Sequence, residues 1–147
     1  MLLGHYQSNF DKEKGRISIP KVFTKQLGEE VIITKGYEGS LLIVSRDDWN
    51  TVISQVAGKS FLSGLSRQTD RFLLGNAFEI KIDSQGRFVV PPKLREYAKL
   101  GKEVLFVGVG NRVEVWDKQA WEQNEQYLNE NIAQISETLN DKLSDTK

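Results

Sequence analysis

Apolar residues in this chain fall into short runs, mostly β-branched or aromatic, separated by glycine, proline and charged residues. Residues 31–34 and 41–44 form one such pair, joined by the polar loop 35–40. Residues 104–107 and 113–116 form another, joined by 108–112. Runs of this length and composition, bounded by turn residues, predict β-strands. Two shorter runs, 17–19 and 88–90, each follow a Gly-Arg pair and end at proline. Gly15 and Gly86 supply the positive φ that a tight hairpin turn demands. Proline at a first helical position then predicts short helices over 21–27 and 93–100, with Gly28 and Gly101 as their stops.

Further helices follow from caps and periodicity. Ser45, with Asp48 three residues on, reads as a capping box opening a helix that runs to about residue 56. Residues 65–74 predict another, with Arg67 and Arg71 one turn apart. Beyond Asp117 a longer helix carries Trp121, Leu128, Ile132, Ile135, Leu139 and Leu143 on one apolar stripe. Its Trp121 end is expected to dock on the chain's own core. The distal half could either dock there or present a face to a partner.

These elements occur twice. Displacing the chain by 71 positions, the separation of Arg16 and Arg87, superposes Gly15 on Gly86 and Pro20 on Pro91. Slippage of one or two residues then aligns Glu30-Val31-Ile32-Ile33 with Glu103-Val104-Leu105-Phe106, and Trp49 with Trp121. A repeat this long, present in two copies, is not a solenoid module. It predicts an α+β protein whose duplicated halves pack together. The expected layout is a first repeat over 1–60, a linker with a short helix over 61–74, a second repeat over 75–121, and an acidic amphipathic helix and tail over 122–147.

Composition narrows the classes. The chain has 147 residues with zero formal net charge, but its charges are uneven. Residues 5–121 hold 18 Lys/Arg against 14 Asp/Glu, and residues 122–147 hold 2 against 6. A positive body suggests an anionic partner, whereas the acidic helix can equally be a solubilising one. No apolar run approaches the roughly 20 residues of a membrane helix. The N-terminus lacks a signal-peptide pattern, and no cysteine is present. A cytoplasmic protein without disulfides or thiolate metal sites is the expectation.

Enzymatic constellations are missing from the sequence. His5 is the one histidine and has no partner motif; neither a phosphate-binding glycine loop nor a dinucleotide fingerprint occurs. Asp47-Asp48 fits the first turn of a helix, where the dipole favours acids. No catalytic residue, cofactor, metal or small-molecule substrate is expected. The Gly-Arg turns are different. Lys12, Lys14 and Arg16 put three cations on one short loop against Asp11 and Glu13, and Arg87 offers one equivalent in the second. Such loops can lay cations along phosphates while arginine reaches a guanine edge. They can also be structural, with Asp83 and Arg87 clasping each other across the turn.

At these residues the chain resembles a known family. The turns Phe10 to Pro20 and Ile82 to Pro91, the opening Met1-Leu2-Leu3-Gly4-His5-Tyr6-Gln7, and the runs Arg71 to Ala77, Ala98 to Val104 and Val113 to Asp117 are similar to the MraZ family. These are bacterial transcription regulators of the division and cell-wall gene cluster, sharing the swapped-hairpin barrel of AbrB-type proteins. The resemblance implies two tandem swapped-hairpin units packed with pseudo-two-fold symmetry. It also implies a DNA-binding repressor acting on promoter direct repeats as a ring-shaped homo-oligomer, cytoplasmic and nucleoid-associated. Carried onto this chain, the DNA-facing arginines are Arg16 and Arg87, with Lys12 and Lys14 beside the first. The second turn fits the family's Asp-x-x-x-Arg; the first has one residue more between Asp11 and Arg16. A ring-forming scaffold with purely structural turns is the competing expectation.

Overall fold

In a computed structural model, which describes residues 1–145, the chain forms eight antiparallel strands and five helices. The first half contains β1 (Leu2–Asp11), β2 (Arg16–Ser18), α1 (Lys21–Leu27), β3 (Glu30–Lys35), β4 (Leu41–Ser45) and α2 (Trp49–Ile53). A connecting helix, α3 (Gly64–Leu73), follows. The second half repeats the order with β5 (Phe78–Lys81), β6 (Arg87–Val89), α4 (Pro92–Ala98), β7 (Glu103–Gly110), β8 (Val113–Asp117) and α5 (Lys118–Asp145). Thr146 and Lys147, the end of the expected acidic tail, lie outside the described residues.

The strands run in the order β5-β3-β4-β8-β7-β1-β2-β6, a nearly closed barrel built by exchange between the halves. β1 pairs with β7 of the second half over Leu2↔Gly110 to Asn9↔Glu103, and β5 pairs with β3 of the first. Like strands meet on the pseudo-dyad. Ile17 opposes Phe88 in β2–β6, and Leu42 opposes Glu114 in β4–β8. Backbone bonds repeat across the same axis: Ile19 N–H to Gly86 C=O and Val90 N–H to Gly15 C=O are both 2.8 Å. The expected swapped-hairpin α+β fold is therefore present.

One core serves both halves. Phe23, Ile33, Leu41, Ile43, Leu94, Val104, Phe106, Val113 and Val115 are fully enclosed, drawn from four strands and both short helices. Each such side chain contributes about 1.5–3 kcal/mol of burial when fully enclosed. Because that cluster mixes residues from both units, neither half encloses its own apolar face. A second cluster of Leu105, Val107 and Trp116 lies on the other face of β7–β8 and is covered by Ala120 and Trp121 of α5. Trp116 and Trp121 pack edge-on with ring centroids 5.5 Å apart. The Trp121 end of α5 thus docks intrachain, while Ile132 and Leu139 remain more than half exposed.

Two local expectations are corrected. After Ser45, residues 46–48 form a turn and the helix spans only Trp49–Ile53. The Ser45 hydroxyl still accepts the Asp48 N–H at 3.2 Å, but β-branched Thr51, Val52 and Ile53 followed by serine propagate a helix poorly. Beyond them the backbone winds on as shorter-range turns, Val56 N–H reaching Ile53 C=O. At α4, Gly101 is not the stop. Lys99 takes the left-handed conformation, φ 51°, and the Gly101 N–H donates to the Asp117 carboxylate at 2.9 Å. Gly28 does stop α1, with φ 79°.

Gly108 lies where β7 passes β1, and a Cβ there would sit 2.7 Å from the Leu2 carbonyl carbon and the Leu3 nitrogen. The neighbours are backbone and cannot swing aside. Gly108→Ala should destabilise the fold by about 1–3 kcal/mol, the usual range for overpacking, read as a lower urea midpoint. An unchanged midpoint would refute so close a β1–β7 approach.

Candidate nucleic-acid interface

The β2–β6 ribbon positions the predicted residues. Ile17 and Phe88 face the core, at 1% and 5% exposure, so alternation turns Arg16, Ser18, Arg87 and Val89 outward. Arg16 opposes Val89 and Ser18 opposes Arg87, placing the two arginines diagonally on one face. They are two residues apart along the ribbon, roughly 7 Å. Lys12 and Lys14 project from the turn at the Arg16 end, both exposed. The Ser18 hydroxyl donates to Gln85 C=O at 3.1 Å, tying the second turn to the other end.

The two turns use their aspartates differently. In the second, the Asp83 carboxylate accepts the backbone N–H of Gln85 at 2.9 Å and of Arg87 at 2.8 Å, and its other oxygen accepts Arg87 Nε at 2.9 Å. Asp83 N–H donates to Arg87 C=O at 3.0 Å. This side-chain bonding stands where the first hairpin has ladder pairs, Phe10↔Ile17 and Asp11↔Arg16, and it marks the gap in the barrel. In the first turn, one residue longer, Asp11 lies opposite Arg16 in the ladder but its carboxylate does not bond the guanidinium. Its carboxylate instead accepts the Lys14 N–H at 3.1 Å, and its carbonyl accepts Gly15 N–H at 2.7 Å. Among the described residues, the side chains of Lys12, Lys14 and Arg16 form no ion pair.

The charge on Asp83 follows from that geometry. The backbone N–H of Arg87 is the largest influence holding its carboxyl below the ordinary 3.8, partly opposed by desolvation and aided by the Arg87 guanidinium. Glu103 is also held low, first by its hydrogen bond from Lys118.

One cation near the first turn escaped the sequence reading. Arg95 of α4 reaches over Gly15, where an added Cβ would lie 2.8 Å from its Nη1. The same test at Gly86 meets Thr24 of α1 at 3.2 Å. Thr24 and Arg95 are separated by the same 71 positions as the Gly-Arg turns, and that substitution was the available signal. Elsewhere the surface offers little chemistry. His5 stands 4.0 Å from Glu125 and beside the Trp121 ring. No group of three or more potential metal ligands occurs among the described residues. No helix there is long and apolar enough to cross a membrane.

An outward arginine-bearing ribbon on a nearly closed barrel of exchanged hairpins defines the class, a tandem swapped-hairpin protein. The family described as "MraZ protein, putative antitoxin-like" matches residues 1–72 and again 73–143. The chain is 38% identical over 141 residues to a protein of Thermoanaerobacter sp. (strain X514) named Transcriptional regulator MraZ, covering 96% of this chain and 98% of that one. A protein of the same name from Acetivibrio thermocellus is 42% identical over 122 residues, 83% of this chain and 85% of its own length. Another, from Pediococcus pentosaceus, is 36% identical over 141 residues, 96% and 98%. The chain belongs to the MraZ family, and is a transcription regulator by that membership.

The Asp83 clasp has a pH signature. A carboxyl whose folded pKa is depressed adds stability that is complete above its unfolded value and disappears as pH falls through the folded one. Acid unfolding of the wild type should therefore steepen below about pH 4. Asp83→Asn should flatten that limb in part, leaving the share due to Glu103. Superimposable acid limbs would show that the clasp does not persist in solution.

Proposed function

We propose that this chain binds double-stranded promoter DNA through the outer face of the β2–β6 ribbon and the turn before it. The observation that carries the reading is Arg16: outward, half-exposed and without a carboxylate partner, just after a turn that carries two exposed lysines. A two-stranded antiparallel ribbon is narrow enough to enter a major groove, where arginine pairs with the O6 and N7 of guanine. Lys12 and Lys14 then lie along phosphates and set the register. Arg87 contributes from the other end, its Nε held by Asp83 and its terminal nitrogens directed by that bond.

A charge excess of about four on one body supports weak binding per chain, since each neutralised phosphate adds a limited counterion-release term. Several copies on repeated sites gain affinity through effective concentration. This favours a homo-oligomeric ring on direct repeats, repressing the division and cell-wall cluster from a cytoplasmic, nucleoid-associated location. Phe61, Leu62 and Leu65, at 84–90% exposure, are apolar surface that self-assembly would cover. A scaffold with structural turns is the second reading, favoured by the Asp83–Arg87 clasp.

Arg16→Ala should weaken binding to a duplex selected from random sequence by the purified protein roughly 10- to 100-fold, the effect of losing one bidentate base contact. Undiminished affinity in a folded variant would remove the ribbon from the interface. Light scattering should show a mass several times that of the chain; a monomer at micromolar concentration would rule out the ring.

A further inference from the structure

We infer that the groove between the first turn and α4 is a phosphate clamp for the DNA backbone, held by Lys12, Arg95 and Lys99; this rests on the DNA-binding reading above. The groove, about 260 Å³, is lined by Phe10, Lys12, Arg95, Glu96, Lys99 and Leu100. Three cations face one carboxylate there. The Arg95 guanidinium has no hydrogen bond or ion pair among the described residues, although it lies half-buried over Gly15. A guanidinium without a protein partner, on a partly covered side chain, suits an anion that arrives from solution.

The pseudo-dyad supplies an internal control. An equivalent helix and turn occur on the other side of the barrel, where Arg95 is replaced by Thr24, Lys99 by Gly28, Lys12 by Ser84 and Glu96 by Lys25. The fold therefore forms around these positions without the cations. A helix C-terminus attracts basic residues through its dipole, and Lys25 does this in α1 as Arg95 does in α4. Lys99 is the sharper case. It holds φ 51°, a left-handed conformation that glycine adopts freely and that a side chain adopts at a cost. Lysine at such a position bears that cost and lines the groove beside Arg95.

The clamp and Arg16 divide the work. The clamp grips sugar-phosphate from one side of the first turn and carries no sequence information, while the adjacent ribbon face reads bases. The variant Arg95→Thr/Lys99→Gly installs the residues found at the equivalent positions, Thr24 and Gly28, of the first half. Binding is measured by fluorescence anisotropy with the selected duplex and with a scrambled duplex of the same composition, across a salt series. The double variant should bind both duplexes more weakly by the same factor, roughly five- to tenfold per lost contact near 0.1 M salt. Its log–log salt slope should be shallower by about two. Lys99→Gly alone should raise the Tm while weakening DNA, opposite signs that a structural role would not produce.

Other outcomes count against the clamp. Wild-type affinity and slope in the double variant, with the wild type binding normally, overturns it and leaves the DNA reading intact. A loss confined to the selected duplex makes these residues base readers and also overturns it. Saturable binding of inorganic phosphate, with duplex affinity unchanged in the variant, makes the groove a free-anion site. Failure of the wild type to retain either duplex sinks the DNA reading itself.

Discussion

The structure depends on an exchange of strands between two halves that cannot finish a barrel separately. β1 needs β7 and β5 needs β3 for its backbone partners. A buried strand edge left unpaired would strand polar N–H and C=O groups at a cost of about 1–3 kcal/mol each. The apolar faces are shared in the same way, because Ile17 and Phe88 meet side by side at the dyad above Phe23, Leu94 and Phe106. Duplication within one chain keeps the partner half permanently at hand, so the exchange needs no second molecule.

From that constraint comes an outward ribbon with fixed register, and from the register comes a diagonal pair of arginines. Symmetry would make their environments equal, and one inserted residue breaks it. In the second turn Asp83 reaches the backbone and the guanidinium of Arg87 together, so the turn is self-contained. In the first, Asp11 is occupied with the backbone of a longer loop, and Arg16 keeps its donors. α4 adds Arg95 and Lys99 on the Arg16 side, whereas α1 offers Thr24 and Gly28 at the other turn. Cations therefore collect around one turn of a symmetric frame.

Much of this was legible in advance. The strands, the order of elements and the duplicated Gly-Arg turns could be read because alternation, proline and glycine act locally. Most of the misreadings occurred where a long-range partner decides. Gly101 looked like a helix stop, but its small size serves an approach to Asp117, sixteen residues on, and Lys99 makes the stop. Ser45 was recognised as a capping residue, yet the helix it precedes is short because the chain beyond favours turns. Arg95 went unnoticed because it lies eighty residues from the turn it overhangs.

The sequence by itself determined the kind of element at most positions, the existence of two equivalent halves and the cations carried by the two Gly-Arg turns. Those are properties of local chemistry and of spacing. Tertiary structure alone decided which half pairs with which strand, that Asp83 restrains its arginine while Asp11 does not, and that α4 brings its cations to the first turn. Each of these depends on groups far apart in the chain being brought within hydrogen-bonding or contact distance. No local pattern specifies that; only the closing of the barrel does.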